Sequence, residues 1–565
     1  LLDRLAGQPA LDGPAAIEAV TALAKIGGSQ VGEFFRGVLS GSAVLTPADR
    51  PAIVNQVLLD SWRLEGDSPV DAILPFADDT SASPRWRAAY SLGRLRAPAA
   101  GERLTVLLRD REGVVRSIAA RSLTRQFADT AGLAPRTVAD LLTRAAIDAN
   151  PQVKINALRS LGGFRDSTLS VELIPLLEDP LPNVQVQAAA TLGELGGAEA
   201  VRALTRALGG KGTFALRREV LVALARANPA ASRTAGKPWR SAADWRQRAA
   251  AAEAEAVAGP GDDPWFLSDR DGRVVAAGLQ AWSAEVEGAD SVLVAAARRL
   301  LLHRDAAVRS LAADAVSRAA APADLPALVQ AFRRTGNDSF PEAALSALGA
   351  ILAIRESGPA AAGRVDREFL ASVSRPADYL IRRWAEENWP EAAARWGPAY
   401  PITTGRTLQD YRDLVRRFVV APDSVARPRV KIETEQRGLV EIELLGPDAP
   451  LTVANFLRLV SRRFFDGNRW HRVVPNFVVQ DGDPRGDGFG GPGGSIRDEI
   501  NRNRYDAPML GMALSGPDTG SSQWFINLSP QPHLDGTYTV FGRVVGGNAA
   551  LARITQGDLI RTVVQ

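Results

Sequence analysis

The 565-residue chain has no cysteine, which excludes disulfides, thiolate metal sites and cysteine nucleophiles. Histidine is almost as scarce. His303, His471 and His533 lie far apart, and no His-Glu-x-x-His or Cys/His ligand spacing occurs, so no metal or other cofactor is expected. Only five residues are lysine, and no block of like charge is present. The 67 basic residues barely outnumber the 64 acidic ones, and from Arg429 to the end 15 basic residues face 15 acidic ones. A nucleic-acid interface needs concentrated basic charge, so no nucleic-acid partner is expected. No apolar run approaches the ~20 residues that span a bilayer, so no membrane span is expected in this chain. An initiator Met is also missing. Leu1-Leu2-Asp3 reads as the start of a processed or truncated product, and an extracytoplasmic location, periplasmic or lipid-anchored, is expected ahead of a cytoplasmic one.

What is abundant is a repeat. An apolar residue, often followed by Arg, precedes a small residue at +4 and an apolar one at +8. The pattern starts at Val115 (VRSIAARSL), Val153, Val184, Leu216, Val274 and Val308, with weaker copies near Pro84, Ala343 and Ile381. Spacing of +4 and +8 marks one face of a helix. Asp, Asn or Pro turns precede several copies, and a second apolar helix (Val171 to Glu178) lies upstream of one of them, so the unit is two antiparallel helices. One such pair cannot bury its own apolar face, whereas stacked pairs form a continuous core. From about Ala52 to Trp389 the array resembles HEAT repeats. The 58 residues from Leu216 to Val274 break the period, and residues 225–273 are left open as a degenerate repeat or a projecting loop. Trp239, Trp245 and Trp265 in that insert are expected to fold back on neighbouring helices rather than to form a partner surface.

The repeats stop after Trp389. Residues 397–428 read as a connector: Pro-rich at 397–404, a helix from about Leu408 to Arg417 capped by Thr407, then an extended piece up to Pro428. The stripe Tyr411, Leu414, Phe418 favours docking over a loose tether. From Arg429 the period changes to 2, with a hairpin over 430–444, an amphipathic helix over 453–460 capped by Thr452, and further short strands separated by Gly-rich turns.

Three segments of this region carry the functional signal: WHRVVPNFVVQDGD from Trp470, read as one strand-like run ending in a turn; MALSGPDTGSSQWFIN from Met512; and HLDGTYTVFG from His533. Their order and spacing resemble those of cyclophilins, the peptidyl-prolyl isomerases that rotate X–Pro bonds. The resemblance spans 429–565. It implies a closed eight-stranded antiparallel β-barrel with two helices, behind an all-α HEAT-like solenoid over 1–396. It also implies that Arg472 acts catalytically with Phe477 and Gln480. Phe477, Phe525, Leu534 and Val478 (often Met in the family) would line a proline pocket. Gln480 and Gln523 would bind peptide backbone, and Ala513 and Leu514 would flank the groove. Three residues depart from the common pattern: Leu514 stands for Asn, His533 for Trp and Tyr538 for His. The second departure bears on cyclosporin binding more than on catalysis.

The expected function is peptidyl-prolyl isomerisation of proline-containing polypeptide clients in protein folding, with the array binding protein partners. The alternative is a scaffold whose barrel only binds proline peptides.

Overall fold

The computed structural model describes residues 13–43, 45, 49–398, 404–420, 427–506 and 508–565. The start of the chain and most of the two extended connector pieces (399–403 and 421–426) lie outside the described residues.

Each strong copy of the repeat lies on one helix of a pair: Gly113–Ser122, Pro151–Gly162, Pro182–Leu195, Phe214–Ala227, Gly272–Glu285 and Ala306–Ser317. The weaker copies occupy Ala82–Leu95, Glu342–Glu356 and Tyr379–Asn388. Helices begin as early as Gly13–Ile26, well before Ala52. The arginine of the motif has a structural reason. Arg85 Nη1 donates to the carbonyls of Asp79 (2.8 Å) and Thr80 (3.0 Å) in its own turn. The rest of its fork grips Asp110 in the next turn at 2.7 and 2.8 Å. Arg116 repeats this with Asp110 O, Arg111 O and the Asp148 carboxylate, and Arg248 with Ala242 O, Ala243 O and Asp269. Arg309 does the same toward Asp338. A planar guanidinium reaches carbonyls and a carboxylate together, which an ammonium cannot, and this use fits a chain rich in Arg and poor in Lys.

The insert is a repeat, with helices Pro229–Arg240 and Trp245–Val257. The second packs between Phe214–Ala227 and Gly272–Glu285 and supplies Arg248 to the ladder. Its inner face is built from alanines, among them Ala249 to Ala252, so the Leu/Val signature is missing. Trp239 stacks on Phe214 (6.4 Å), and Trp265 packs against the array core with the Arg240 guanidinium 5.7 Å from its ring centroid, so both fold back. Trp245 only partly joins the array core and reaches Gly486 in the C-terminal part.

The connector helix Leu408–Leu414 carries a capping box between Thr407 and Asp410 and continues as a π turn over Val415–Val419. Leu414 and the buried Phe418 pack on the C-terminal core, while Tyr411 bonds Thr404 (3.0 Å).

The C-terminal part is an eight-stranded antiparallel sheet. Its strands are β1 (Arg429–Thr434), β2 (Gly438–Leu444), β3 (Arg472–Val474), β4 (Val478–Asp481), β5 (Met509–Met512), β6 (Trp524–Asn527), β7 (Val540–Gly546) and β8 (Ile560–Val564). Their order is β3-β4-β6-β5-β7-β2-β1-β8. Residues 467–470, just before β3, hydrogen-bond to 557–560: Gly467 N to Ile560 O (2.9 Å) and Trp470 N to Asp558 O (3.1 Å). The helix Pro450–Ser461 buries Val453, Phe456 and Val460 against the inner face of the sheet. Thr452 is not its cap. The Glu499 carboxylate accepts from Leu451 N (2.9 Å) and Thr452 N (2.7 Å), so the helix start is capped from a distant loop. The second helix, Asn548–Leu551, is one turn long.

The array holds the sheet along nearly its whole length. From the first helices, Glu18 pairs with Arg504 (2.6 Å). In the middle, Arg159 donates to Pro475 O (2.6 Å), and Asn183 Nδ2 donates to Ala552 O (3.1 Å) and Ile554 O (2.9 Å). Near the end, Asp305 pairs with Arg485 (3.2 Å) and Arg383 with Asp518 (2.9 Å). These contacts come mostly from the motif-bearing helices and their caps, which line the side of the array that faces the sheet.

Candidate active site

The run from Trp470 is two strands and not one. Pro475 cannot donate to a ladder, and Asn476 takes a left-handed φ of 57°, so the chain turns between β3 and β4. Arg472 then lies directly opposite Gln480. Side chains alternate across a strand, so one register decides which residues share a face. Val473, Val479, Trp524, Ile526, Leu510 and Met512 point into the main core. Val478, Phe525 and Met509 point the other way, into a separate apolar cluster with Leu534, Tyr505, Leu445 and Val540. Phe477, Ala513 and Tyr538 pack against its edge. Gly511 faces Phe525 across the β5–β6 ladder, where a Cβ would overlap Phe525 and Tyr505.

Beside the cluster runs a polar chain. Arg472 Nη1 donates to Gln480 Oε1 (3.1 Å), and Gln480 Nε2 to Gln523 Oε1 (3.1 Å). Gln523 Nε2 donates to Gly488 O (2.7 Å) and Gly490 O (3.0 Å) in the glycine-rich loop. The guanidinium also sits 5.7 Å from the Phe477 ring centroid. Burial holds Arg472 below its ordinary value, opposed by Tyr538. His533 stacks on Phe477 (5.7 Å, 23°), and Tyr538 closes edge-on against Phe525 (5.7 Å). Leu514 turns toward the main core. The structure therefore brings together all the sequence-selected residues except Leu514, which lies at the rim.

A family model for cyclophilin type peptidyl-prolyl cis-trans isomerase/CLD matches residues 429–564, and one for HEAT repeats matches 138–225. Peptidyl-prolyl cis-trans isomerase B of Bacillus subtilis is 46% identical over 131 residues, 92% of that protein and 23% of this chain. The peptidyl-prolyl cis-trans isomerase of Synechococcus elongatus is 45% identical over 92% of its length and 23% of this chain. That of Helicobacter pylori strain 26695 is 38% identical over 96% of its length and 27% of this chain. The chain belongs to the cyclophilin-type peptidyl-prolyl cis-trans isomerases.

The cyclophilin site does not open to bulk solvent on every side. A cavity of about 1140 Å³ lies between it and the HEAT array, reached by Arg472, Gln480 and Gln523 from one wall and by Trp245 and Phe340 from the other. Array arginines in this cavity are matched by carboxylates: Arg218 with Glu253 (2.6 Å) and Arg273 with Asp271 (2.8 Å). At the other end of the site, Arg63 donates to Pro532 O (3.4 Å), next to His533. Burial, helped by Arg121, Arg94 and Arg63 of the array, lowers the His533 pKa to about 4, so its ring is neutral at physiological pH. His471, by contrast, is buried against Asp481 (3.8 Å) behind the site.

Sequence reasoning missed Tyr505, which stacks on Phe525 (5.5 Å), because no alternation or motif surrounds it. It also missed the array arginines near His533, which lie more than 400 residues earlier in the chain. No local pattern connects them.

Proposed function

We propose that the chain catalyses X–Pro rotation in extended segments of client polypeptides, in the service of protein folding, and that the HEAT array helps to hold those clients. The X–Pro barrier of about 18–20 kcal/mol comes from double-bond character in the amide. Lowering it requires binding the twisted amide better than either planar form. The proline ring would enter the apolar cluster between Phe477, Phe525 and Leu534, with Val478 at its floor. Twisting localises a lone pair on the prolyl nitrogen, and Arg472 would donate to it. Gln480 holds the guanidinium in place, and a half-buried setting strengthens that contact. Gln480, Gln523 and the backbone near Ala513 and Leu514 would align the peptide, and Tyr538 would close the pocket. No proton transfer or nucleophile is needed.

The observation that carries this reading is the cross-strand Arg472–Gln480 pair placed beside an apolar cluster large enough for a prolyl ring. We also read the 467–470 to 557–560 hydrogen bonds as the seam that closes the sheet into a barrel. A protease-coupled assay on a proline tetrapeptide tests the function. Turnover above background that is lost in Arg472→Ala supports it. Binding of the peptide without turnover would leave only a proline-peptide scaffold.

A further inference from the structure

A second cavity of about 1140 Å³ lies in the array beside the first repeats, and its lining is strongly cationic. Arg94, Arg96, Arg121, Arg125 and Arg165 face it against only two carboxylates, Glu65 and Asp129. Asp129 is already taken by Arg125 (3.0 Å). Among the described residues no carboxylate pairs with Arg94, Arg96, Arg121 or Arg165, whereas the ladder arginines Arg85, Arg116, Arg248 and Arg309 each hold one. Arg121 is half-buried, and burial together with Arg94 pushes its guanidinium below the ordinary value. Arg94, Arg96, Arg125 and Arg165 reach solvent around the half-buried Arg121, and like charges gathered about one concave surface focus a positive potential that favours an anion there. Two donors in the same lining are also unsatisfied among the described residues: the indole N–H of Trp62 and the hydroxyl of Tyr90, which is 4% exposed.

The cavity connects to the cyclophilin site through a short chain of contacts. Arg94 lies over one side of the Trp62 ring (4.2 Å) and Arg63 lies 4.6 Å from the same ring. Arg63 in turn donates to the carbonyl of Pro532, the neighbour of His533, and His533 stacks on Phe477 at the edge of the proline pocket. A peptide whose proline lies on Phe477 and leaves across His533 meets Arg94 and Arg121 within a few residues, at ~3.3 Å per extended residue.

We infer that this arginine pocket makes the enzyme selective for acidic clients: polypeptides carrying Asp or Glu on the flank that runs from the isomerised proline past His533 into the array. The inference rests on the proposed use of the Phe477–Phe525 pocket for proline. It assigns to the repeats a substrate-selecting role at a defined place, with anionic side chains as the ligand.

The test compares three peptides on the full chain, all with the same Ala-Pro centre: three Glu after the proline, three Glu before it, and Gln in both flanks. The expected result is a KM about fivefold to tenfold lower for one of the two acidic peptides, with kcat little changed. The advantage should shrink as salt is raised from 0.05 to about 0.5 M. Arg94→Gln with Arg121→Gln should erase the advantage and leave the Gln peptide's turnover unchanged, with circular dichroism confirming that the variant is folded. Equal KM for all three peptides in the native chain, or a preference that survives in the double variant, overturns the inference. Displacement of the acidic peptide by a short oligothymidylate at equal charge and equal strength also overturns it, because that marks a general polyanion site. If no peptide turns over, the isomerase reading fails separately. Fluorescence anisotropy of labelled peptides on Arg472→Ala still decides the pocket: an acidic preference in binding upholds it, and none refutes it.

Discussion

Arg472 and Gln480 are cross-strand neighbours in the β3–β4 hairpin, and the glutamine oxygen accepts from the guanidinium at 3.1 Å. The arginine is thereby held before any substrate arrives. Replacing it with Ala removes the donor and should lower kcat/KM by about 100- to 1000-fold, the usual cost of losing one preorganised donor. Arg472→Lys keeps the charge but not the fork, and should recover only a minor part. Both variants should melt like the native chain, because the side chain reaches solvent and belongs to neither hydrophobic core of the C-terminal part. The protease-coupled assay beside a thermal melt checks this. A variant that loses activity only in proportion to its stability would contradict the role.

The turn at Asp481-Gly482 makes a different prediction. Gly482 has φ 100°, and a Cβ there would overlap the Ser522 carbonyl. Ser522 Oγ also donates to Gly482 O (2.6 Å), so the two segments are locked together. Gly482→Ala must push Ser522 and Gln523 away, which breaks the Gln480–Gln523 link. We expect roughly 2–4 kcal/mol of destabilisation from strain and displaced packing. The fraction that folds should turn over at least tenfold more slowly, read from activity normalised to folded protein.

Much of this was legible in the sequence. Period-2 alternation located the first hairpin, and the resemblance carried by the three ordered segments pointed to Arg472, Phe477, Gln480, Gln523, Phe525 and Leu534, which the folded chain gathers on and beside β3, β4 and β6. The hairpin between β3 and β4 was not legible as such: Pro475-Asn476 is a weak turn signal inside a run that otherwise reads as continuous strand. The repeat at 229–257 was hidden because alanine carries its inner face, and an alanine helix has no Leu/Val period to count. The docking of array on sheet was beyond reach, since single side-chain-to-carbonyl bonds such as Asn183 to Ile554 leave no trace in local composition.

Acid–base behaviour follows from two residues with opposite signs. His533 titrates at about 4 in the fold against 6.5 when free. Between those values the unfolded chain binds a proton that the native chain does not, so this group makes stability rise with pH from about 4 to 6.5. Asp535 is driven up to about 7 from 3.8 by burial, with Asp506 and Asp60 adding to it and Tyr505 N–H and Arg504 opposing. The native chain then holds a proton that the unfolded chain lacks, so stability falls as pH rises from about 4 to 7. The two nearly cancel. Denaturant titrations from pH 4 to 7 should therefore show His533→Gln losing stability with rising pH and Asp535→Asn gaining it. Each slope is bounded at about 1.4 kcal/mol per pH unit for one proton. Parallel profiles for the two variants would refute the assignment.

Asn183 tests whether the array positions the cyclophilin domain. It is 4% exposed, and its amide satisfies two carbonyls, Ala552 O and Ile554 O, at the end of the short helix Asn548–Leu551. Asn183→Ala leaves both acceptors without that donor at a closed interface, at a cost of about 1–3 kcal/mol. The array core around Val184 and Leu192 is untouched by the change, so the loss should fall on docking and not on folding of either part. Hydrogen exchange locates it: backbone amides of residues 548–556 should exchange several-fold faster, while those of Pro182–Leu195 keep their protection. Turnover of a short neutral peptide should persist, because no residue of the proline pocket moves. Uniform acceleration across both segments would mean instead that Asn183 supports the repeat itself.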